Sequence, residues 1–266
     1  MATVTLKPTK TPELMLEANS ITPDAFAGKT AAQISGLECR EGKTHVTIGD
    51  FFTVSGNAGA TAAETDIVVA GDCTRVKYIG SKMTAGTVTV KGNADMYVGG
   101  WMKGGKIHIT GNVDSFCGIA MEGGEILVEG NAQNHVGCAY RGDWRGMRGG
   151  TIRIKGNAGN DIGTFMLGGT IIIEGNVFIH VSTHAEGGTV IIKGDVEGRV
   201  GGQMVKGTMY VFGNIKYMMP GYKKVDRMEL EVDGTKATFD HYIGDLGERH
   251  PKKKGTTIFA DLYVKA

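Results

Sequence analysis

Gly-Asn or Gly-Asp pairs begin at Gly71, Gly92, Gly111, Gly130, Gly156, Gly175, Gly194 and Gly213, and most lie nineteen residues apart. Gly56-Asn57 is an earlier member at a shorter interval. The step from Gly71 carries two extra residues and the step from Gly130 carries seven. A second glycine follows seven residues after the leading one, at Gly99, Gly118, Gly137, Gly163 and Gly201, with Ser182 as the substitution. A Gly-Gly pair follows after twelve residues, at Gly104, Gly123, Gly168 and Gly187. A fixed period of this length marks a stacked repeat, in which each unit buries its apolar side only against its neighbours.

Three corners per period leave three short β-runs. The expected fold is therefore all-β: a right-handed single-stranded parallel β-helix of about seven coils, with capping segments at both ends. The division expected is 1–55 as an N-terminal cap with a short helix, 56–213 as the repeats and 214–266 as a C-terminal cap. Thr22-Pro23-Asp24 carries the cap-then-proline pattern of a helix start. The corners are assigned to Gly92-Asn93, Gly111-Asn112, Gly130-Asn131, Gly156-Asn157, Gly175-Asn176, Gly194-Asp195 and Gly213-Asn214, on the reasoning that a corner requires φ > 0. No G-x-G-x-x-G or GxxxxGK[ST] opens a helix, so these glycines are not a phosphate cradle.

Before each corner, alternation places Ile107/Ile109, Ile126/Val128, Ile152/Ile154, Ile171/Ile173 and Val190/Ile192 inward. Met83, Met102, Met121, Met147, Met166 and Met204 form a ladder suited to filling the core. Between the inward residues stand Ile172, Ile191 and Tyr210, an apolar stripe on a face that should meet water. Such a stripe reads as a partner surface; cover by the chain's own C-terminal segment is the alternative. On the first reading, Ile191→Glu leaves the fold intact and weakens association.

The insertion CAYRGDWRGMRGG, residues 138–150, departs most from the period. Its Tyr140, Arg141, Trp144, Arg145 and Arg148 are residue types that dominate interface contacts, and clustered arginine also captures carboxylates. Contact with a neighbouring protein of a complex is the leading reading, with an anionic ligand or a solvated loop as alternatives. His135, Asp161, His180 and Arg199 share one position on adjacent repeats. Ladder positions project side chains in parallel rather than converging them, so a surface hydrogen-bond ladder is expected rather than a metal site. No Ser/His/Asp or Cys/His grouping suggests a catalytic centre of the chain's own, and no cofactor or metal ligand set is assigned.

The 43 glycines and 5 prolines agree with many tight corners. A net charge of +1 offers no electrostatic case for nucleic acid or an anionic membrane. Cys39, Cys73, Cys117 and Cys138 form no CxxC pair, there is no signal-like N-terminus, and no stretch approaches membrane-spanning length. A cytoplasmic, soluble chain is expected.

The GN…G…M-x-G-G period, the YRGDWRGMRGG insertion and the closing HYIGDLGERHPKKKGTTIFADLYV resemble the C subunit of formylmethanofuran dehydrogenase. The repeat is also similar to the C-terminal domain of the glutamate synthase large subunit, and the same scaffold occurs in the formyltransferase/hydrolase complex of methylotrophic bacteria. The resemblance implies an oxidoreductase complex that reduces CO2 and condenses the formate with methanofuran, the first step of methanogenesis from CO2. It implies a hetero-oligomer in which other subunits carry a tungsten or molybdenum pterin, iron–sulfur clusters and a dinuclear metal site. This chain would then be a scaffold. An independent β-helix enzyme remains the alternative from another class.

Overall fold

A computed structural model describes residues 2–244 and 260–266. Most strands gather in one thirteen-stranded sheet. Its centre consists of strands taken once per repeat: Thr65–Val69, Thr87–Val90, Lys106–Ile109, Glu125–Val128, Thr151–Ile154, Thr170–Ile173, Glu186–Ile192 and Lys206–Val211. These pair in parallel and in register, so that Ile126 faces Ile107 on one side and Ile152 on the other. The two ends are antiparallel. Ala2–Pro8 pairs with Phe52–Ser55, and the hairpin Lys223–Val232/Thr235–Gly244 pairs with Ala260–Lys265. A three-stranded parallel sheet (Val177–Val181, Val196–Val200, Ile215–Tyr217) and a four-stranded mixed sheet near the N-terminus complete the fold.

This corrects the expected single-stranded parallel β-helix with three strands per coil. The large sheet is mixed, and most repeats contribute one regular strand. In the earlier repeats the chain after the Gly-Asn pair makes only isolated bridges, Ala94 to Val113 to Ala132 to Ala158, and from Val177 onward these give way to short parallel strands. The physical reason is backbone handedness. Within each repeat, left-handed residues recur at short intervals; in one, Tyr97, Gly99, Trp101 and Gly105 have φ of 66°, 62°, 56° and 83°. Left-handed residues bend the chain and shorten its extended runs, although His180 and Arg199 are accommodated within the short strands Val177–Val181 and Val196–Val200.

The Gly-Asn pairs also work differently from the expectation. From Gly111 onward neither the leading glycine nor the following Asn or Asp has positive φ. Instead the Asn side chain replaces a backbone acceptor. Asn93 Oδ1 accepts the Asn112 N–H at 2.8 Å, and Asn112, Asn131, Asn157 and Asn176 each repeat this with the next rung. Asp195 closes the series on the Asn214 N–H at 2.7 Å. Glycine is required by close approach: a Cβ at Gly156 would lie 2.7 Å from the Gly130 carbonyl oxygen and would also meet Asn131 Oδ1.

The inward residues and the Met ladder are fully buried in one continuous core. At the N-terminus, Thr22 accepts the Ala25 N–H at 3.1 Å and starts a helix over Pro23–Phe26, and a second helix, Ala31–Ser35, is capped by Thr30.

The apolar stripe is not a free surface, which corrects the reading of it as a partner contact. Ile172 and Ile191 are 5% and 6% exposed, packed with Val232 and Phe239 of the C-terminal hairpin. Phe239 meets Phe212 and Tyr210 edge-on, at ring distances of 5.1 and 6.0 Å. The hairpin turn is Asp233-Gly234, both left-handed, as a two-residue turn between right-twisted strands demands. Its Asp233 carboxylate is held by Arg153 Nη2 at 2.6 Å and Lys193 Nζ at 3.3 Å. Glu129, Lys155, Glu174 and Lys193, which precede successive Gly-Asn or Gly-Asp pairs with alternating charge, do not form one continuous ion-pair ladder. Lys155 keeps Glu129 at 2.7 Å, Arg153 takes Glu174 at 3.0 Å, and Lys193 turns to the hairpin. The basic tract His250–Lys254 lies outside the described residues.

Two stability outcomes follow. Gly156→Ala, which forces backbone against backbone, is expected to cost more than Asn131→Ala, whose exposed hydrogen bond contributes about 1 kcal/mol; urea unfolding in which the two rank in reverse would contradict the close approach. For the cover, Phe239→Ala is expected to cost about 3–5 kcal/mol, and Ile191→Glu now to destabilise the fold itself.

Arg153, with Lys193, also holds the Asp233 carboxyl below its ordinary pKa of 3.8. A depressed folded-state pKa stabilises above the unfolded value and is lost as pH falls through the folded one. Hydrogen-exchange protection factors over residues 223–244, referred to the intrinsic rate at each pH, should therefore fall below about pH 4 in the wild type. In Asp233→Asn this acid step should be reduced.

Candidate partner-docking face

The position five residues after each Gly-Asn pair carries Tyr97, Phe116, His135, Asp161, His180 and Arg199 in turn, and Tyr78 occupies it one rung earlier. All have φ between 55° and 66°. For bulky residues this is costly, about 1–2 kcal/mol each, and such outliers persist where neighbours compensate or function demands them. Here the rings compensate in part. Tyr78–Tyr97, Tyr97–Phe116 and Phe116–His135 stack at 4.7, 4.9 and 4.7 Å with planes within 10°. Each such pair contributes about 0.5–1.5 kcal/mol beyond its burial. Burial pushes the Tyr78 phenol up to about 12 and lowers the pKa of His135, against the pull of Asp161. Both rings thus stay neutral near neutral pH.

Beyond His135 the ladder turns polar. His180 Nδ1 lies 3.3 Å from Asp161 and its Nε2 3.5 Å from Arg199, while His135 belongs to the ring stack. Among the described residues no three His, Cys, Asp or Glu side chains are placed to hold a metal ion.

A second row, nine residues after each pair, holds Trp101, Phe165 and His184, with Phe165 stacked on His184 at 4.9 Å. The insertion lies across both rows. It is anchored by the Ala139 N–H on the Thr164 carbonyl, the Gly146 N–H on the Phe165 carbonyl and the Arg148 N–H on the Met121 carbonyl. Asp143 organises its tip, accepting the Trp144 N–H at 2.8 Å and pairing with Arg145 Nε at 2.9 Å. Tyr140 leans on Trp101 at 5.5 Å, and Trp144 meets Phe165 edge-on at 5.3 Å. Both remain open to solvent, at 44% and 65% exposure. An open groove of about 640 Å³ under the tip is lined by Arg141, Trp144, Arg145, Leu167 and Glu186.

Of the three expected arginines, Arg145 is spent on Asp143 and Arg148 on Glu122 at 3.2 Å. Arg141 has no ion pair among the described residues. The insertion residues and the stripe do not form one surface, since Ile172, Ile191 and Tyr210 lie under the hairpin. Tyr78, Tyr97, Phe116, Trp101 and Phe165 escaped the sequence reading, although the first three extend the His135–Arg199 register. Elsewhere, a hollow of about 370 Å³ near the N-terminus is lined by Lys7, Lys10 and Arg75. Its Arg75 is occupied by the Pro12 and Glu13 carbonyls and its Lys10 by the Phe51 ring.

The sequence model of the GXGXG motif family matches residues 55–262, and the chain belongs to that family. It is 46% identical over 96 residues to the C subunit of the molybdenum-containing formylmethanofuran dehydrogenase 1 of Methanosarcina barkeri, covering 36% of this chain and 32% of that one. It is 47% identical over 96 residues to the C subunit of the tungsten-containing formylmethanofuran dehydrogenase 2 of Methanothermobacter thermautotrophicus, covering 36% of each. Against the C subunit of the tungsten-containing formylmethanofuran dehydrogenase 2 of Methanococcus maripaludis, identity is 54% over 132 residues, 50% of this chain and 47% of that one. The matches thus span between about a third and a half of these relatives. The resemblance to the formylmethanofuran dehydrogenase C subunit therefore stands.

The fold is similar to a chain in the crystal structure of the formyltransferase/hydrolase complex (FhcABCD) from Methylorubrum extorquens with methylofuran. The TM-score is 0.86 at 23% identity, over 98% of this chain and 99% of that one.

The ladder's handedness is open to test. Phe116→Gly relieves the left-handed strain and Phe116→Ala keeps it, while both lose the ring. The Gly variant should be the more stable by about 1 kcal/mol. An Ala variant more stable than Gly in urea unfolding would contradict the φ assigned to Phe116.

Proposed function

We propose that this chain is a non-catalytic scaffold subunit of a formylmethanofuran dehydrogenase complex in the cytoplasm. That complex would reduce CO2 to formate and condense it with methanofuran, reversibly. One observation carries the reading: the aromatic face on which exposed Tyr140 and Trp144 stand beside the half-buried ring ladder, on a chain whose relatives are C subunits of such enzymes. Aromatic residues packed on a rigid frame are the means by which interfaces gain affinity. The tungsten or molybdenum pterin, the iron–sulfur clusters and the dinuclear metal would reside in other subunits. The four cysteines here fit no cluster: each is buried singly, and burial pushes three of the thiols up to about 12.

Membership of a formyltransferase/hydrolase complex is the second reading, supported by the full-length fold likeness. Sequence identities of 46–54% with the dehydrogenase subunits, against 23%, favour the first.

Affinity purification from native cells tests the proposal. The chain should bring larger pterin-bearing and metal-bearing subunits with it and show no activity alone; a lone monomer contradicts it. Tyr140→Ala/Trp144→Ala should lower the recovered partner about tenfold or more with the fold intact, as expected for two truncated interface anchors.

A further inference from the structure

We propose that the ring ladder and its flanking cations dock an acidic segment of a partner protein in the complex. The proposal rests on the chain being part of such a complex and adds the chemistry of what meets this face.

Ring orientation comes first. Tyr97 is covered on one face by Tyr78 and on the other by Phe116, and Phe116 in turn by Tyr97 and His135. What these inner rings present outward is therefore their edge. The ring quadrupole is negative on the face and positive on the edge, so a row of edges favours a carboxylate over a cation. A partner arginine or lysine, which needs an exposed face, finds the faces already occupied.

The fixed charges agree. Lys82 occupies the rung beside Trp101, its N–H donating to the Gly100 carbonyl at 2.8 Å, and Lys103 follows two residues after Trp101. Neither lysine has an ion pair among the described residues, and nor does Arg141. Arg141 is close enough to Tyr97 and His135 to oppose a positive charge on the imidazole. Two of the acids nearby are spent, Glu122 on Arg148 and Asp143 on Arg145. Glu17, beside Tyr78 and Tyr97, and Asp161, whose partner is the His180 imidazole, keep their charge farther along the ladder. Lys82, Lys103 and Arg141 gather at the end of the face around Trp101 and Tyr140, where Glu122 and Asp143 are already paired, and give that end a positive potential. Complementary potentials of this kind select partner and register.

A zero-length carbodiimide cross-linker, which joins amines to carboxylates in contact, tests this on the complex purified from native cells. Mass spectrometry should find Lys82 and Lys103 joined to Asp or Glu of another protein in the complex, and 0.5 M NaCl during cross-linking should suppress these links. In a second arm, Arg141→Glu should lower partner recovery about tenfold or more, with Arg141→Lys nearly restoring it. If the complex is intact but Lys82 and Lys103 join only partner lysines, through an amine-to-amine reagent, the face meets a partner that is not acidic. The inference then fails while the proposed function stands. An intact complex with no link from either lysine overturns it equally. A chain that purifies alone overturns both.

Discussion

Everything in this molecule depends on one rung-to-rung contact. A glycine brings the backbone within van der Waals reach of the preceding repeat, and the next side chain, Asn or Asp, caps the following backbone N–H at about 2.8 Å. Exact register follows, because an Asn one residue out of phase would meet no donor. Register in turn places like on like: Ile over Ile in the core, Met over Met at its corner, ring over ring on the surface. The same contact explains why the repeats tolerate seven extra residues after Gly130. The insertion leaves and rejoins between rungs whose spacing is already set, with Gly156 still donating to the Gly130 carbonyl at 2.8 Å.

Two faces of the stack have opposite fates. On the large sheet, Ile172, Ile191 and Tyr210 are closed off by the hairpin, which spends Phe239 and Val232 on apolar cover and Asp233 on a double ion pair. The hairpin's outer strand, Lys223–Val232, is the edge of the sheet, and its Lys223, Lys224, Asp226, Arg227, Glu229 and Glu231 blunt pairing with other chains. On the ladder face nothing described covers Tyr140 or Trp144, and the left-handed positions there hold rings rather than glycines. The chain thus accepts backbone strain at the place where it presents aromatic surface.

The period, the inward Ile and Val pairs and the Met ladder were legible in the sequence, since each repeats often enough to be seen without coordinates. The insertion stood out because it breaks the period. What failed were inferences that needed local backbone geometry. Left-handed φ was assigned to the Gly-Asn pairs, where close approach is the cause, and was missed at Tyr97 and Trp101, whose residue types argue against it. Three strands per repeat were expected from three corners, but recurrent left-handed residues leave most repeats one regular strand, with a second only from Val177 onward. The stripe's cover by the C-terminal segment stood only as the alternative because Phe239 lies 48 residues beyond Ile191, in a segment that carries no period. The ring ladder was missed because its register was followed from His135 forward and not back to Phe116, Tyr97 and Tyr78.

Amide hydrogen–deuterium exchange, compared between the isolated chain and the purified native complex, tests the central claim most directly. The account predicts that Ile172 and Ile191 are protected in both states, while residues 97–101 and 138–148 gain protection only in the complex. Gain of protection at the stripe on assembly, with the ladder and insertion unchanged, would contradict it.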